Sequence, residues 1–199
     1  GDVQGSAFLS EGLSEYSAVS LLAKEKGEKQ LRKFLKYELD KYLMGRAMES
    51  RHEPSIMETE GQQYIHYNKA GLMMYTLSDF IGAERFNRAL KRFINKFRYN
   101  SSPYADIGTF VNMIEQETPE DLKYLVDDTF EKITLYENKA KNASAVLNQN
   151  GTYDVTFTVE AKKVYSDSSG VQTTAKLNDW LEVGILSERI INGETIEVP

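Results

Sequence analysis

The hydrophobic period of this chain changes once, near residue 132, and that change limits the folds it can adopt. Up to that point apolar side chains recur every three to four residues. Beyond it they alternate, or cluster as β-branched and aromatic runs. A helix repeats its faces every 3.6 residues and a strand every two, so one segment cannot satisfy both patterns. The reading is an α+β chain, with helices over residues 1–132 and an antiparallel β-sandwich-like unit over 133–199. No linker composition separates the two parts, so they are expected to pack on each other.

Within the helical part, Phe8, Leu9, Leu13, Tyr16, Val19, Leu22 and Ala23 share helical spacing from Ala7 to Lys26, and Gly27 is a stop. Glu28 to Met44 forms a second helix on the stripe Leu31, Phe34, Leu35, Leu39, Tyr42 and Leu43, ended by Gly45. Residues 46–62 contain Pro54, mixed charge and little periodicity, which predicts a loop. Loops of that length tend to be functional or mobile. A third helix covers about Gln63–Ile81 and a fourth about Ala83–Arg98, with Phe86, Leu90, Phe93 and Phe97 on one face. The fourth also carries Arg85, Arg88, Lys91, Arg92, Lys96 and Arg98, which reads as a solvated face rather than an anion patch. After the Ser101-Ser102-Pro103 break come two shorter helices. One spans about Asp106–Glu117; the other starts with Thr118 as N-cap and Pro119 at the first helical position.

Strands are predicted over Ile133–Leu147, Thr152–Val164, Gln172–Leu186 and Glu194–Val198. Tyr153, Val155, Phe157, Val159 and Ala161 share one face. Asn150-Gly151 and Asn192-Gly193 are hairpin signals, and 167–170 is a further turn.

Composition narrows the function classes. The net charge of −6 is spread evenly over both parts, which leaves no electrostatic footprint for nucleic acid. The absence of cysteine excludes disulfides and thiolate metal sites. No apolar run approaches the roughly eighteen residues that suggest a membrane span. No signal segment is visible, and localisation is left open.

Two short runs carry chemistry. The first is Leu9-Ser10-Glu11-Gly12-Leu13-Ser14-Glu15-Tyr16-Ser17-Ala18. The second, some fifty residues on, is Tyr64-Ile65-His66-Tyr67-Asn68-Lys69-Ala70-Gly71. Taken locally, an acid near a helix N-terminus needs no metal, and a tyrosine on an apolar stripe is usually core. As an ordered pair, the runs resemble the aminopeptidase N (gluzincin) family of zinc metallopeptidases. Further similarity lies in Gly12–Ala18, Arg32-Lys33-Phe34-Leu35 to Tyr42-Leu43, Phe130–Asn138 and Asn178–Gly184. These look like a bacterial branch whose peptidase domain is fused to transporter-permease-like membrane spans.

The resemblance implies that Glu11 is the third zinc ligand and that Tyr67 donates a hydrogen bond to the tetrahedral oxyanion. Ser10 stands where the family has Asn, and Ala70 where its Tyr-x-Lys-Gly motif has Gly. Lys69 reads as structural. His52 and His66 each lack a His partner at i+4; His66 reads as a packing residue beside the site and His52 as solvated. The metal-binding His-Glu-x-x-His segment is absent, and counting back by the family spacing places it before Gly1. The resemblance therefore implies a fragment: zinc and a peptide substrate in the intact parent, no zinc in this fragment, and no hydrolysis alone. One alternative is a non-catalytic pseudo-peptidase, an interaction module of a membrane transporter-associated protein. The other is a free-standing helical-plus-β binding domain, which would gain if Glu11 and Tyr67 proved far apart.

Overall fold

In the computed structural model, which describes residues 3–49, 52–99, 102–191 and 194–198, the helical pattern and the alternating pattern fold as expected, giving an α+β chain. A π-helical segment, Phe8–Gly12, runs directly into the long helix α1 (Leu13–Met48). Gly27 interrupts α1 with φ 73° and ψ 174°, a backbone conformation that side chains with a Cβ rarely adopt, and so divides it into two limbs. The predicted stop at Gly27 is therefore a real break.

The predicted stop at Gly45 is not, because α1 continues to Met48. Gly45 is needed for a different reason. A Cβ there would lie 2.3 Å from the Tyr64 Cβ, so the residue makes room for the neighbouring helix.

That neighbour starts as a second π-helical segment, Tyr64–Lys69, and continues as α2 (Ala70–Ile81). Helices α3 (Ala83–Phe97), α4 (Ile107–Glu117) and α5 (Tyr124–Phe130) follow. Asp106 caps α4 by accepting a hydrogen bond from the Thr109 amide at 2.8 Å. Thr118 does not start the last helix as predicted. Its hydroxyl donates to the Ile114 carbonyl and closes α4, while Pro119 is extended (ψ 146°) ahead of a 3-10 turn, Glu120–Leu122.

The core lies between these helices. Phe8, Phe93, Phe110 and Phe130 interlock with ring centroids 5.2–6.3 Å apart, mostly edge to face, and Tyr16 packs on Phe86. The basic face of α3 has local partners. Arg88 and Arg92 pair with Glu117 at the end of α4, and Arg85 donates to the Ile81 carbonyl at the end of α2. The predicted loop before Gln63 is well packed: Glu53, Ser55, Ile56 and Thr59 are buried, with a 3-10 turn at Ile56–Glu58.

The β unit has strands β1 (Ile133–Leu147), β2 (Tyr153–Ser166) and β3 (Gln172–Ala175) in one antiparallel sheet of that order. Strands β4 (Ser187–Ile191) and β5 (Glu194–Val198) pair separately. The Asn150-Gly151 turn is present, with Gly151 at φ 84°. Asn192-Gly193 lies outside the described residues. The predicted strand over Gln172–Leu186 is only four residues long, and the rest of that segment makes no ladder. On the face they share, Tyr153, Val155 and Val159 are exposed.

The base of the sheet meets the helices. There Lys163, 2 % exposed, is held by Asp128 of α5 and by Asp179 at 2.8 Å. Tyr165 donates to Asp128 and Tyr136 to Asp179, and the rings of Tyr124, Tyr136 and Tyr165 surround the ammonium. Burial opposes the Lys163 charge, but the hydrogen bonds to Asp128 and Asp179 outweigh it and raise its pKa.

Candidate functional site

The two π-helical segments lie against each other, and they contain the two residues singled out from the sequence. Glu11 is in Phe8–Gly12 and Tyr67 is in Tyr64–Lys69. Such segments are rare, usually confined to a single turn, and frequent at functional sites. The close approach depends on small residues. A Cβ on Gly12 would sit 3.0 Å from the Ala70 Cβ and 3.3 Å from the His66 carbonyl oxygen. One on Gly71 would sit 3.0 Å from the Glu15 Cβ. Ala70, where the sequence pattern led us to expect glycine, is fully buried with its methyl group facing Gly12. The glycine on the opposite helix makes the space.

At this crossing Glu11 and Tyr67 are neighbours and both are half-buried. The Glu11 carboxylate beside it raises the pKa of the Tyr67 hydroxyl, with some help from burial and from Glu15. The separation that would have favoured an unrelated binding domain is not seen. Glu15, one turn beyond Glu11, is pushed up by burial and by the charges of Glu38 and Glu11. Glu38, buried on the second limb of α1, accepts a hydrogen bond from the Asn68 amide at 2.7 Å.

His66 is 6 % exposed, and its ring centroid lies 4.8 Å from that of Tyr67. Among the described residues its Nδ1 has no hydrogen-bond partner. Burial lowers its pKa, and the Glu11 charge only partly offsets this, which favours the neutral ring. His52 is exposed, near the turn that carries Asp167.

Lys69 does more than its sequence reading suggested. Its ammonium is buried, 2.8 Å from the Glu53 carboxylate and 5.2 Å from the centre of the Tyr42 ring. Tyr42 and Arg46 also donate to Glu53, and Arg46 reaches on to the Ser166 hydroxyl in β2. Burial alone would raise the Glu53 pKa, but Lys69 and the other donors bring it below the usual carboxylate value. Glu53, Glu38 and Asn68 had no signal in the sequence beyond the unusual length of the loop that contains Glu53.

The residues present do not complete a zinc site. A catalytic zinc takes three protein ligands and an open position. Among the described residues no three His, Asp or Glu side chains converge where they could hold a metal ion. What the arrangement offers is a half-buried carboxylate beside a phenol that can donate one hydrogen bond.

Comparison with known proteins supplies the remaining observation. The family model described as Peptidase family M1 domain matches residues 5–130, which include both π-helical segments and end with α5. No curated protein and no solved structure matches the chain.

Proposed function

This chain belongs to the M1 peptidase family, and from that premise we propose that it supplies part of the active site of a zinc-dependent aminopeptidase. The observation that supports this reading is the juxtaposition of Glu11 and Tyr67 across the two π-helical segments. Glu11 is the carboxylate ligand of the metal, and Tyr67 is the donor to the oxyanion that forms on the scissile carbonyl. The His-Glu-x-x-His ligands and general base come from outside these 199 residues, since the sequence contains no such segment. Zinc, when bound in the complete site, activates water and polarises the peptide carbonyl. The chain alone neither holds the metal nor cleaves peptides.

Each residue contributes through its position. Gly12 and Gly71 let the helices approach closely enough for Glu11 and Tyr67 to share one site. His66 backs the Tyr67 ring from the protein interior, and Asn68 is tied to Glu38. Without metal, the Glu11 carboxylate raises the pKa of the Tyr67 phenol, which favours the neutral, donating form. A neutral donor strengthens its hydrogen bond as charge develops on the carbonyl oxygen, and loss of one such donor costs roughly 10²–10³ in kcat.

The parent proposed is a bacterial protein whose peptidase domain is joined to transporter-permease-like spans, a reading supported by the sequence resemblance. Among the described residues no helix is long and apolar enough to cross a membrane. The competing reading is a non-catalytic module of a transporter-associated protein. Its sequence hints were Ser10 and Ala70, and the fit of Ala70 against Gly12 removes most of the weight of the second.

The test is zinc content and hydrolysis of aminoacyl p-nitroanilides, measured on this chain and on the intact protein that contains it. The expected result is no stoichiometric zinc and no hydrolysis for the chain, and one zinc with hydrolysis for the intact protein. In the latter, Glu11→Gln loses zinc, while Tyr67→Phe keeps zinc and loses roughly 10²–10³ in kcat. An intact protein without zinc or hydrolysis supports the non-catalytic reading. Tight one-to-one zinc in the chain alone means the ligand set has been misplaced.

A further inference from the structure

We propose that the buried Lys69–Glu53 ion pair is a positioning clamp that holds the Tyr67 hydroxyl against Glu11. The argument starts from the helix itself. A π-helical turn has poorer hydrogen-bond geometry than an α-helical one, so it persists where side chains over-determine it. In Tyr64–Lys69 the ends of the turn are anchored outside the helix. At its start the Tyr64 ring sits over Gly45, and its hydroxyl donates to Glu49 at 3.3 Å. At its end the Lys69 ammonium is drawn to Glu53 at 2.8 Å, with side-chain exposures of 4 % and 5 %.

Glu53 is itself fixed. Tyr42 donates to one of its oxygens and Arg46 to the other, so the carboxylate cannot follow Lys69 if the turn relaxes. The ammonium sits over the Tyr42 ring and the residue is buried. A lysine this buried pays a large desolvation penalty unless it is paired, so releasing it from Glu53 is strongly disfavoured. Tyr67 lies two residues before Lys69, on the same turn. Its position follows from the turn, from the His66 ring behind it and from Glu11 in front. Among the described residues neither Lys69 nor Glu53 bonds to Glu11. They act on the phenol through the backbone, which makes them positioning residues and not catalytic ones.

The importance of the clamp for turnover rests on the function proposed above, but the clamp itself can be tested without turnover. In the 199-residue chain, nuclear Overhauser contacts between the Tyr67 ring and the side chains of Glu11 and His66 report the geometry. Contacts between Phe8 and Phe130 report the core. Lys69→Met keeps the length of the side chain and removes its charge. Glu53→Gln keeps an acceptor for Tyr42 and is a milder second variant. The expected result is loss of the Tyr67–Glu11 contact in either variant that retains the Phe8–Phe130 contact. If Lys69→Met does not fold, Glu53→Gln decides alone. Unchanged Tyr67 contacts in a folded variant overturn the clamp.

In the intact protein, the same variants are expected to lower kcat by about ten-fold or more at unchanged KM and unchanged zinc content, consistent with misplacement of a catalytic group. If the Tyr67 contacts are lost and kcat is unaffected, the clamp stands and the oxyanion role of Tyr67 fails. If the contacts persist and kcat falls, the clamp fails and the role of Tyr67 is untouched.

Discussion

Replacing Lys163 with Met should remove about 3 kcal/mol of stability. The ammonium is 2 % exposed, between two carboxylates whose side chains are 6 % and 5 % exposed. Removing one partner of a buried pair costs about 3–5 kcal/mol, because the remaining charge is left without compensation. The lower figure applies here, since Asp128 keeps Tyr165 and Lys132, and Asp179 keeps Tyr136. For a chain of this size a urea slope of about 2 kcal/mol per molar turns that loss into a midpoint shift of about 1.5 M. The accompanying fall in Tm is about 6–12 °C. Neutralising the acids as well, with Asp128→Asn and Asp179→Asn, should recover most of the loss, because no bare charge then stays buried.

The pH dependence has a definite sign. The Lys163 pKa is raised in the fold, so its contribution is complete below the unfolded value of about 10.4 and disappears as pH climbs through the higher folded one. Burial alone would raise the Asp179 pKa, but hydrogen bonds from Lys163 and Tyr136 lower it. Its contribution is therefore present above the unfolded value of about 3.9 and lost as pH falls through the lower folded one. The gap between the parent chain and Lys163→Met should be level between those limits and close at both ends. A loss below about 1 kcal/mol near neutral pH, the range of exposed ion pairs, would show that the ammonium is solvated and would refute the argument.

Gly45→Ala drives a methyl into Tyr64 and should cost about 2–3 kcal/mol in urea denaturation, although alanine is the better helix former. Asp106→Ala removes the cap of α4 and should cost about 1 kcal/mol, seen as faster amide exchange in its first turn as well as a lower Tm. The His66 ring should titrate below the ordinary histidine value when followed by proton NMR. Because its folded pKa is depressed, stability should rise with pH from that folded value up to the unfolded value of about 6.5, and His66→Phe should flatten that slope.

Much of the fold was legible because its signals are local. The helix break at Gly27 and the hairpin at Asn150-Gly151 are imposed by backbone conformations that only a few residues tolerate, and both are present. Gly45 and Thr118 were misread for a shared reason. A glycine that admits a neighbouring ring has the same letter as a glycine that ends a helix. A threonine that bonds back to Ile114 has the same letter as one that caps forward. The alternation after Gln172 was real, but it continues as a strand only where β2 offers a partner. At the site, Glu11 and Tyr67 could be named because a motif carries them. Glu53 and Glu38 could not, because burial of a charge depends on partners brought from sixteen and thirty residues away.

The π-helical turns also decide which kinds of sequence change this region can absorb. Each turn fits one more residue into its circuit than an α-helical turn would. A substitution within Phe8–Gly12 or Tyr64–Lys69 alters one side chain and leaves the others in place. Deleting a single residue lets the turn close to α-helix: the flanking helix keeps its register, while side chains inside the turn move on by up to one place, about 100° around the axis. Glu11 would then face away from Tyr67, or Tyr67 from Glu11, with every side chain still present. In this part of the chain, length is a stricter requirement than composition.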